Sequence, residues 1–495
     1  MQFLFENGET RNGQNDDFPQ SQQEGMTGKS LHASLSEKLR RQIASGTFRP
    51  QERLPSIRKL GRETGLSVTT VVRALQSLED EGLIEGRPRS GYIVRLAPAT
   101  AISHANRLYL PLTPSLVGFA SKVHQFQREV TNPRLIPLGR AIPPPDIVPE
   151  RALATMIRSV LRLSPSYAND YQVPPGNVLL REQLAKRSLS WGCNLQPNDF
   201  VITVGCTEAV RLALTAIARP GETVAVESPA FFGTLQAISQ AGLRPLEIAT
   251  DAAGMDLDML LQNLRRRRIR CIITAPSFSN PSGSLQNQAH REALVRLAQE
   301  ADVPVIEIDL YGDLHHGETR PWAAKRYDTS GHVLHCGSFS KTVAPGFRTG
   351  WIVPGRYYDQ VIAAQLTSTY ATPSLLPAAI GLFLKEGGYD RYLRGARQLY
   401  RNRVAAMRAE LLDHLPSACQ VSDPKGGYLL WVKLPDSQDS WSVYREARRR
   451  GISVAPGELF STTGLFSHYL RIHGGHEMTR RIRDAIHTLD AILLE

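Results

Sequence analysis

The chain has 495 residues, of which 42% are hydrophobic and 21% charged, a composition typical of a soluble globular protein with two or three domains. The net charge is +11, and the stretch from 29 to 95 carries thirteen Lys/Arg against seven Asp/Glu, which favours a polyanion-binding segment. No apolar run approaches the ~20 residues of a membrane span, and five cysteines without a Cys-x-x-Cys pair argue against disulfides and a metal site.

The first 26 residues are rich in Gly, Asn, Gln and Asp. They contain neither the basic region nor the apolar core of a signal peptide. We interpret residues 1–26 as a disordered leader and expect a cytoplasmic protein with no membrane partner.

Residues 27–96 are predicted to form a winged helix-turn-helix domain of the α+β class. Apolar residues at every fourth position predict a helix over 31–46. Ser56 and Ser67 are suited to cap two further short helices, which end at Gly65 and Gly82. The stretch LIEGRPRSGYIV then predicts a two-stranded hairpin, the wing.

Polar and basic side chains of this domain are candidates for DNA contacts. A recognition helix brings small polar and basic residues to base edges, a helix N-terminus holds phosphates, and arginines at a wing tip suit the minor groove or backbone. The predicted DNA-binding residues are Arg53, Ser56, Arg58, Lys59, Ser67, Thr69, Thr70, Arg73, Arg87 and Arg89.

The stretch from RQIASG to SGYIV, residues 41–94, resembles the GntR family of bacterial winged-helix regulators. An IxxGxxxPxxxLPSxRxL core and an S-x-x-T-V helix carry the resemblance. It implies double-stranded DNA as a partner.

Residues 97–130, interrupted by prolines, are interpreted as a linker. From 131 onward, β-rich runs such as TVAVES (223–228) and VPVIEID (303–309) alternate with helical stretches, which predicts an α/β domain with a parallel sheet between helices. Beyond about 390, helices and one antiparallel segment predict a smaller C-terminal α/β subdomain.

Lys341 stands among small and apolar residues in GSFSKTVAPGFRTGW, with no carboxylate to pair with. A lysine that bonds to an aldehyde must be partly unprotonated, which favours such a shielded position. A phosphate on the same ligand needs helix N-terminal amides, a hydroxyl and an arginine. The sequence offers Gly205-Cys206-Thr207, Ser338 and Arg348 for these roles.

Other residues fit the ring of such a ligand. Phe231 can stack on an aromatic ring, and Asn280 and Tyr311 can bond a phenolate oxygen. Asp309, at the end of VIEID, can hold a pyridine nitrogen protonated, which makes the ring an electron sink.

Residues 131–495 resemble fold-type I pyridoxal-phosphate (PLP) aminotransferases of the aminoadipate/kynurenine aminotransferase kind. The motifs that carry the resemblance are YQVPPGNVLLR, GCTEA, SPAFFG, NPSG, SFSKTVAPGFR, KGGYLLWVKLP and YLRIHGG. The resemblance implies that Lys341 is the Schiff-base lysine and that Cys206, Thr207, Ser338 and Arg348 hold the phosphate. It further implies that Tyr171 reaches the phosphate of the other subunit of a dimer and that Arg471 clamps an amino-acid carboxylate.

Two departures from these enzymes affect the site. The enzymes carry Glu-Asp-Asp before the tyrosine, whereas this chain has Ile308 where the first Asp belongs. Either the strand end shifts by one residue and Asp309 serves, or the ring nitrogen lacks its anion and transamination is poor. In addition, Arg140-Ala141 replaces a usual glycine near the substrate.

Together the two halves resemble the MocR subfamily of GntR-type regulators over residues 27–495. The resemblance implies a head-to-tail homodimer in which PLP, and an amino-acid or amine effector, control operator binding without physiological turnover. The alternatives are a PLP-dependent aminotransferase with an accessory N-terminal domain and a sensor of PLP alone.

Overall fold

A computed structural model describes residues 31–44, 48, 52–87, 91–95, 120–251, 253–266 and 269–495. The chain divides into two compact units, residues 1–99 and 100–495. The predicted leader, Arg89 and most of the predicted linker lie outside the described residues. None of the helices within the described ranges is long and apolar enough to cross a membrane.

The first unit has the predicted order of three helices and a hairpin. Its elements are α1 (Leu31–Ala44), α2 (Ile57–Thr64), α3 (Val68–Asp80), β1 (Ile84–Arg87) and β2 (Gly91–Val94). Ser56 and Ser67 cap α2 and α3 as expected, because each hydroxyl accepts a hydrogen bond from an amide three residues later, at 3.3 and 3.2 Å. Leu39, Leu60 and Leu75 lie in the core between the helices.

The second unit is built on a central sheet, in which seven strands are described in the order β3-β9-β8-β7-β6-β4-β5. These strands are β3 (Val201–Thr203), β4 (Thr223–Ser228), β5 (Arg244–Ala249), β6 (Ile269–Thr274), β7 (Val305–Asp309), β8 (Val333–Ser338) and β9 (Gly350–Val353). Strands β5, β4, β6, β7 and β8 are parallel as predicted. Strand β9 is antiparallel to both neighbours, so the sheet is mixed.

Helices pack around this sheet and extend beyond it. They are α4 (Ala120–Glu129), α5 (Glu150–Leu163), α6 (Val178–Ser188), α7 (Cys206–Ile217), α8 (Phe232–Gln240), α9 (Leu257–Arg266), α10 (Gln288–Glu300), α11 (Tyr358–Ser368) and α12 (Leu375–Lys385). Helix α4 falls inside the segment interpreted as a linker, yet Val123 and Phe126 are buried in the core of the second unit. Ordered structure of this unit therefore begins by residue 120.

The C-terminal part, predicted as a smaller subdomain, has a four-stranded antiparallel sheet of its own. Its elements are α13 (Gly388–His414), β10 (Gln420–Val421), β11 (Leu429–Lys433), α14 (Ser440–Arg449), β12 (Ala455–Pro456), β13 (Tyr469–His473) and α15 (Arg480–Leu494). Strand β13 pairs antiparallel with β11 and places Arg471 opposite Trp431. This register turns the Arg471 side chain into the buried interior of the second unit.

Candidate functional sites

A cavity lies in the second unit beside the carboxyl ends of β4, β6 and β7. This position is where open α/β sheets usually bind ligands. Of the residues predicted from the sequence, it brings together Phe231, Asn280, Tyr311 and Lys341. An adjoining cavity adds Cys206 and Thr207 and shares Phe231.

Lys341 places its amine in this cavity. Its Nζ donates a hydrogen bond to the Ala141 carbonyl at 2.6 Å, and among the described residues it forms no ion pair. Burial, together with the positive charges of Arg471 and Arg348, lowers the pKa of Lys341 to about 8. A useful fraction of the amine is therefore unprotonated near neutral pH, as bonding to an aldehyde requires.

The N-terminus of α7 lines the adjoining cavity and is suited to hold an anion. The first amides of a helix have no partner within it, so those of Cys206 and Thr207 are available to a phosphate. Gly205 precedes them with φ +78°, and a Cβ on this residue would lie 2.7 Å from Arg348 Nη2. Only glycine permits this approach, by which Arg348 comes close enough to donate to the Val204 carbonyl at 3.3 Å.

Ser340 also belongs to this end, although the sequence analysis did not single it out. Its hydroxyl accepts a hydrogen bond from Arg348 Nη1 at 3.2 Å, and its amide donates to the Ser338 hydroxyl at 3.3 Å. Ser338 is buried and lines a separate small cavity, shared with Asp309. Its hydroxyl directly before Lys341 in the sequence could have identified Ser340 as a site residue.

Phe231 and Leu310 both line the cavity around Lys341 and the adjoining cavity at Cys206 and Thr207. A planar ring can be held between an aromatic face and an aliphatic side chain. Leu310 was not predicted, because nothing in an isolated leucine indicates a ring contact.

Arg471 is buried next to Asn280 at the cavity wall, and not all of its nitrogens have hydrogen-bond partners among the described residues. Its Nη1 donates to Asn280 Oδ1 at 2.8 Å and its Nη2 to the Gly139 carbonyl at 2.7 Å. Burial lowers the pKa of Arg471 to about 10. Its Nε and the Tyr311 hydroxyl are buried with no hydrogen-bond partner among the described residues, which is costly unless a ligand supplies acceptors.

The donor set therefore fits a phosphorylated pyridine aldehyde. The Lys341 amine, a helix end suited to anions and a slot for a planar ring line two adjoining cavities. Arg348 approaches the helix end at Gly205, and Arg471 bonds Asn280 at the cavity wall. These are the features that PLP requires, and they are supplied by residues far apart in the sequence.

Asp309 does not join this arrangement. Its Oδ2 accepts from Arg320 Nη2 at 2.5 Å and its Oδ1 from the Gly312 amide at 3.0 Å. Ile308 lines the cavity in its place. The one-residue shift that would turn Asp309 toward the cavity does not occur, because successive side chains of a strand point to opposite faces.

Tyr171 does not line the cavity of its own chain. It is 78% exposed and forms an edge-to-face contact with Tyr370, with ring centroids 5.5 Å apart. Its predicted contact with a second subunit stays a prediction.

In the first unit, the predicted DNA-binding residues within the described ranges lie largely at the surface. Thr70 is half-buried and the other eight are exposed. Lys59 and Arg87 have neighbouring carboxylates at 3.8 and 3.4 Å. Arg53, Arg58 and Arg73 form no ion pair with the described residues and are free to meet phosphates.

Comparison with known protein families matches both units. Residues 31–94 match the family described as bacterial regulatory proteins, gntR family. Residues 136–486 match aminotransferase class I and II. A solved structure of LysN, the alpha-aminoadipate aminotransferase from Thermus thermophilus, is 27% identical with a TM-score of 0.70, and the match covers 76% of this chain and 95% of that one.

Relatives with both parts are known among regulators. The uncharacterized HTH-type transcriptional regulator YdcR of Escherichia coli (strain K12) is 34% identical over 466 residues, covering 94% of this chain and 99% of YdcR. The probable rhizopine catabolism regulatory protein MocR of Rhizobium meliloti is 26% identical over 429 residues, covering 86% of each chain. The chain therefore belongs to the MocR-like HTH-type transcriptional regulators, which join a GntR-family DNA-binding domain to a PLP-binding domain of the aminotransferase class I and II family.

Proposed function

We propose that operator binding by this regulator is controlled by PLP, and by an amino acid or related amine, held in the cavity around Lys341. The observation that carries the proposal is the convergence of a lysine whose pKa is lowered to about 8 with two buried, unpartnered donors, Tyr311 Oη and Arg471 Nε. A lysine of this kind bonds to aldehydes, and a buried arginine with a spare donor binds carboxylates.

Each residue has a distinct task in this proposal. The amides of Cys206 and Thr207 with Arg348 hold the phosphate, while Asn280 and Tyr311 hold the 3-oxygen of the ring. When bound, PLP supplies an aldehyde carbon that bonds reversibly to primary amines. LysN is known in complex with N-(5'-phosphopyridoxyl)-L-leucine, which supports an amino acid as the class of effector.

The segment 139–142 is the element through which a ligand can act. Its carbonyls accept hydrogen bonds from both Lys341 and Arg471, so a ligand that engages these two groups removes both bonds. Gly139 packs against the smaller subdomain, where a Cβ on it would lie 2.7 Å from Ser453 Oγ. A ligand shifts such an equilibrium by its differential affinity for the two states.

A homodimer is part of the proposal. Tyr171, Val173, Leu366 and Tyr370 are exposed large hydrophobic residues, and an apolar surface of this kind favours burial against a second copy. Two copies present two DNA-binding units, so we expect a repeated or palindromic operator.

The test combines absorbance and operator binding. We expect the purified protein to take up PLP with a visible absorbance band, and its affinity for operator DNA to change when PLP is dialysed away and restored. Lys341→Ala should abolish the band, whereas Lys186→Ala, which removes an exposed lysine of α6, should not. A protein that stays colourless with PLP contradicts the proposal.

Titration of amino acids identifies the effector. We expect amines with a carboxylate to alter both the band and operator affinity, and Arg471→Lys to weaken this response because lysine cannot form the two-pronged bond. Operator affinity that follows PLP but ignores amines indicates a sensor of PLP alone.

An aminotransferase is the second candidate, favoured by the likeness of the second unit to LysN. Steady turnover of an amino donor with a keto acid, insensitive to deletion of residues 1–99, would support it.

A further inference from the structure

The end of β7 presents its side chains to two different environments. Ile308 lines the cavity around Lys341, whereas Asp309 lines a separate cavity with Arg320 and Trp191. This division follows from strand geometry, in which residues one apart face opposite sides of the sheet. Strand β7 therefore offers hydrocarbon to the cofactor cavity and its carboxylate to the other side.

Asp309 is fixed on that other side by a buried network. Its side chain is 1% exposed and pairs with Arg320, itself 7% exposed. Arg320 also donates to Asp313 at 2.7 Å, and Asp313 accepts from Arg187 at 2.9 Å. Turning Asp309 toward the cavity would leave Arg320 with a single carboxylate partner, Asp313, which is shared with Arg187. Breaking one pair of such a buried network is unfavourable.

Glu227 is the acid among the described residues that line the cavity, and its oxygens are already engaged. It accepts hydrogen bonds from the Ala275 amide at 3.0 Å and the Gln286 side chain at 2.6 Å, and also from the Thr274 hydroxyl. Burial raises the pKa of Glu227. Its interactions fix it to β6 and to the loop before α10.

The pyridine nitrogen of PLP lies across the ring from the aldehyde carbon, and so points away from Lys341. We infer that this nitrogen meets the hydrocarbon of Ile308 and has no acidic partner among the residues that the structure describes. An apolar contact disfavours the protonated nitrogen, and without that charge the ring withdraws electrons poorly. The cavity then binds amines through the aldehyde but transfers their amino groups slowly, which suits a receptor.

This inference rests on the proposed function, and a nuclear magnetic resonance experiment separates the two. The full-length protein is loaded with PLP labelled with ¹⁵N in the ring, and the ¹⁵N chemical shift is measured. We expect the shift of a neutral pyridine, and a protonated-pyridine shift in Ile308→Asp. A protonated nitrogen in the wild-type protein overturns the inference and leaves the proposed function intact, whereas failure to bind PLP through Lys341 overturns the proposed function.

Two control variants locate the cause. Ile308→Leu keeps a hydrocarbon of equal size and should retain the neutral shift. Glu227→Gln should also leave the shift unchanged; a change there assigns the nitrogen to Glu227 and overturns the inference. The wild-type shift decides the matter even if Ile308→Asp does not fold.

A kinetic readout gives an independent check. On mixing with excess amino acid, the visible band of the PLP-loaded wild-type protein should decay slowly as the amino group passes to the cofactor and the amino acid leaves as its keto acid. Ile308→Asp should accelerate this single turnover on the order of 10²-fold, the effect of one well-placed charged group. Equal rates in the wild type and Ile308→Asp would contradict the inference.

Discussion

The cationic side chains of the two units are used in opposite ways. In the first unit, Arg53, Arg58 and Arg73 are exposed and form no ion pair with the described residues. In the second unit, Arg320 is buried between Asp309 and Asp313. The pKa of Lys341 is lowered by burial. The first set is available to an external polyanion, whereas the second is fixed in place or shielded for a small ligand.

The largest expected effect comes from a substitution in the buried ion-pair network of Asp309, Arg320 and Asp313. Asp309→Asn should lower the free energy of unfolding of the second unit by about 3–5 kcal/mol, because Arg320 loses a buried partner. Urea unfolding followed by tryptophan fluorescence measures this change, and the visible band of bound PLP should keep its position.

The matched control for Asp309 is Asp146, a half-exposed partner of Arg403. Asp146→Asn should cost about 1 kcal/mol or less, because the carboxylate of this pair is half-exposed to solvent. A shifted PLP band in Asp309→Asn would instead assign the ring nitrogen to Asp309.

The lowered pKa of Lys341 predicts how PLP uptake depends on pH. A pKa of about 8 means that uptake rises as the pH passes through about 8, because the neutral amine is the nucleophile. At pH 7 about one amine in ten is then unprotonated, against about one in 2,500 for an ordinary lysine with a pKa near 10.4. Initial rates of absorbance increase in the PLP-free protein at pH 6–10 measure the midpoint, and a midpoint near 10 contradicts the burial argument.

Loss of one exposed arginine should affect DNA and not the cofactor. Arg73→Ala should weaken operator binding by about 1–3 kcal/mol if it contacts a base, or lower the salt slope by about one if it contacts a phosphate. Fluorescence anisotropy at several salt concentrations distinguishes the two. A changed PLP spectrum in the same variant would contradict the assignment of DNA binding to the first unit and cofactor binding to the second.

The smallest effect concerns Ser67, a helix cap that is also a predicted DNA contact. Ser67 caps α3, and Ser67→Ala should destabilise the first unit by about 1 kcal/mol. Ser67→Gly should restore most of this stability, since glycine is tolerated at a cap. Operator binding that stays weak in Ser67→Gly identifies a direct DNA contact, and full recovery shows that Ser67 acts through the cap alone.

Much of this architecture could be predicted because its signals are local. Serine caps, alternating apolar runs and the motif around Lys341 each report on a few neighbouring residues, and their order along the chain indicated both domains. The pairing of β9 with β3, the burial of Val123 and Phe126 in α4, and the place of Leu310 in the cavity depend on residues distant in sequence. No window of the sequence contains those neighbours.

The strand end at 308–309 marks the boundary between the two kinds of information. The sequence by itself determined that one residue of this pair is hydrocarbon and the next an acid, and that they face opposite sides of a strand. Only the tertiary structure decided which side holds Lys341 and which holds Arg320, because that depends on how α7 and the loops pack against the sheet. Long-range packing therefore places Ile308 in the cavity and pairs the Asp309 carboxylate with Arg320.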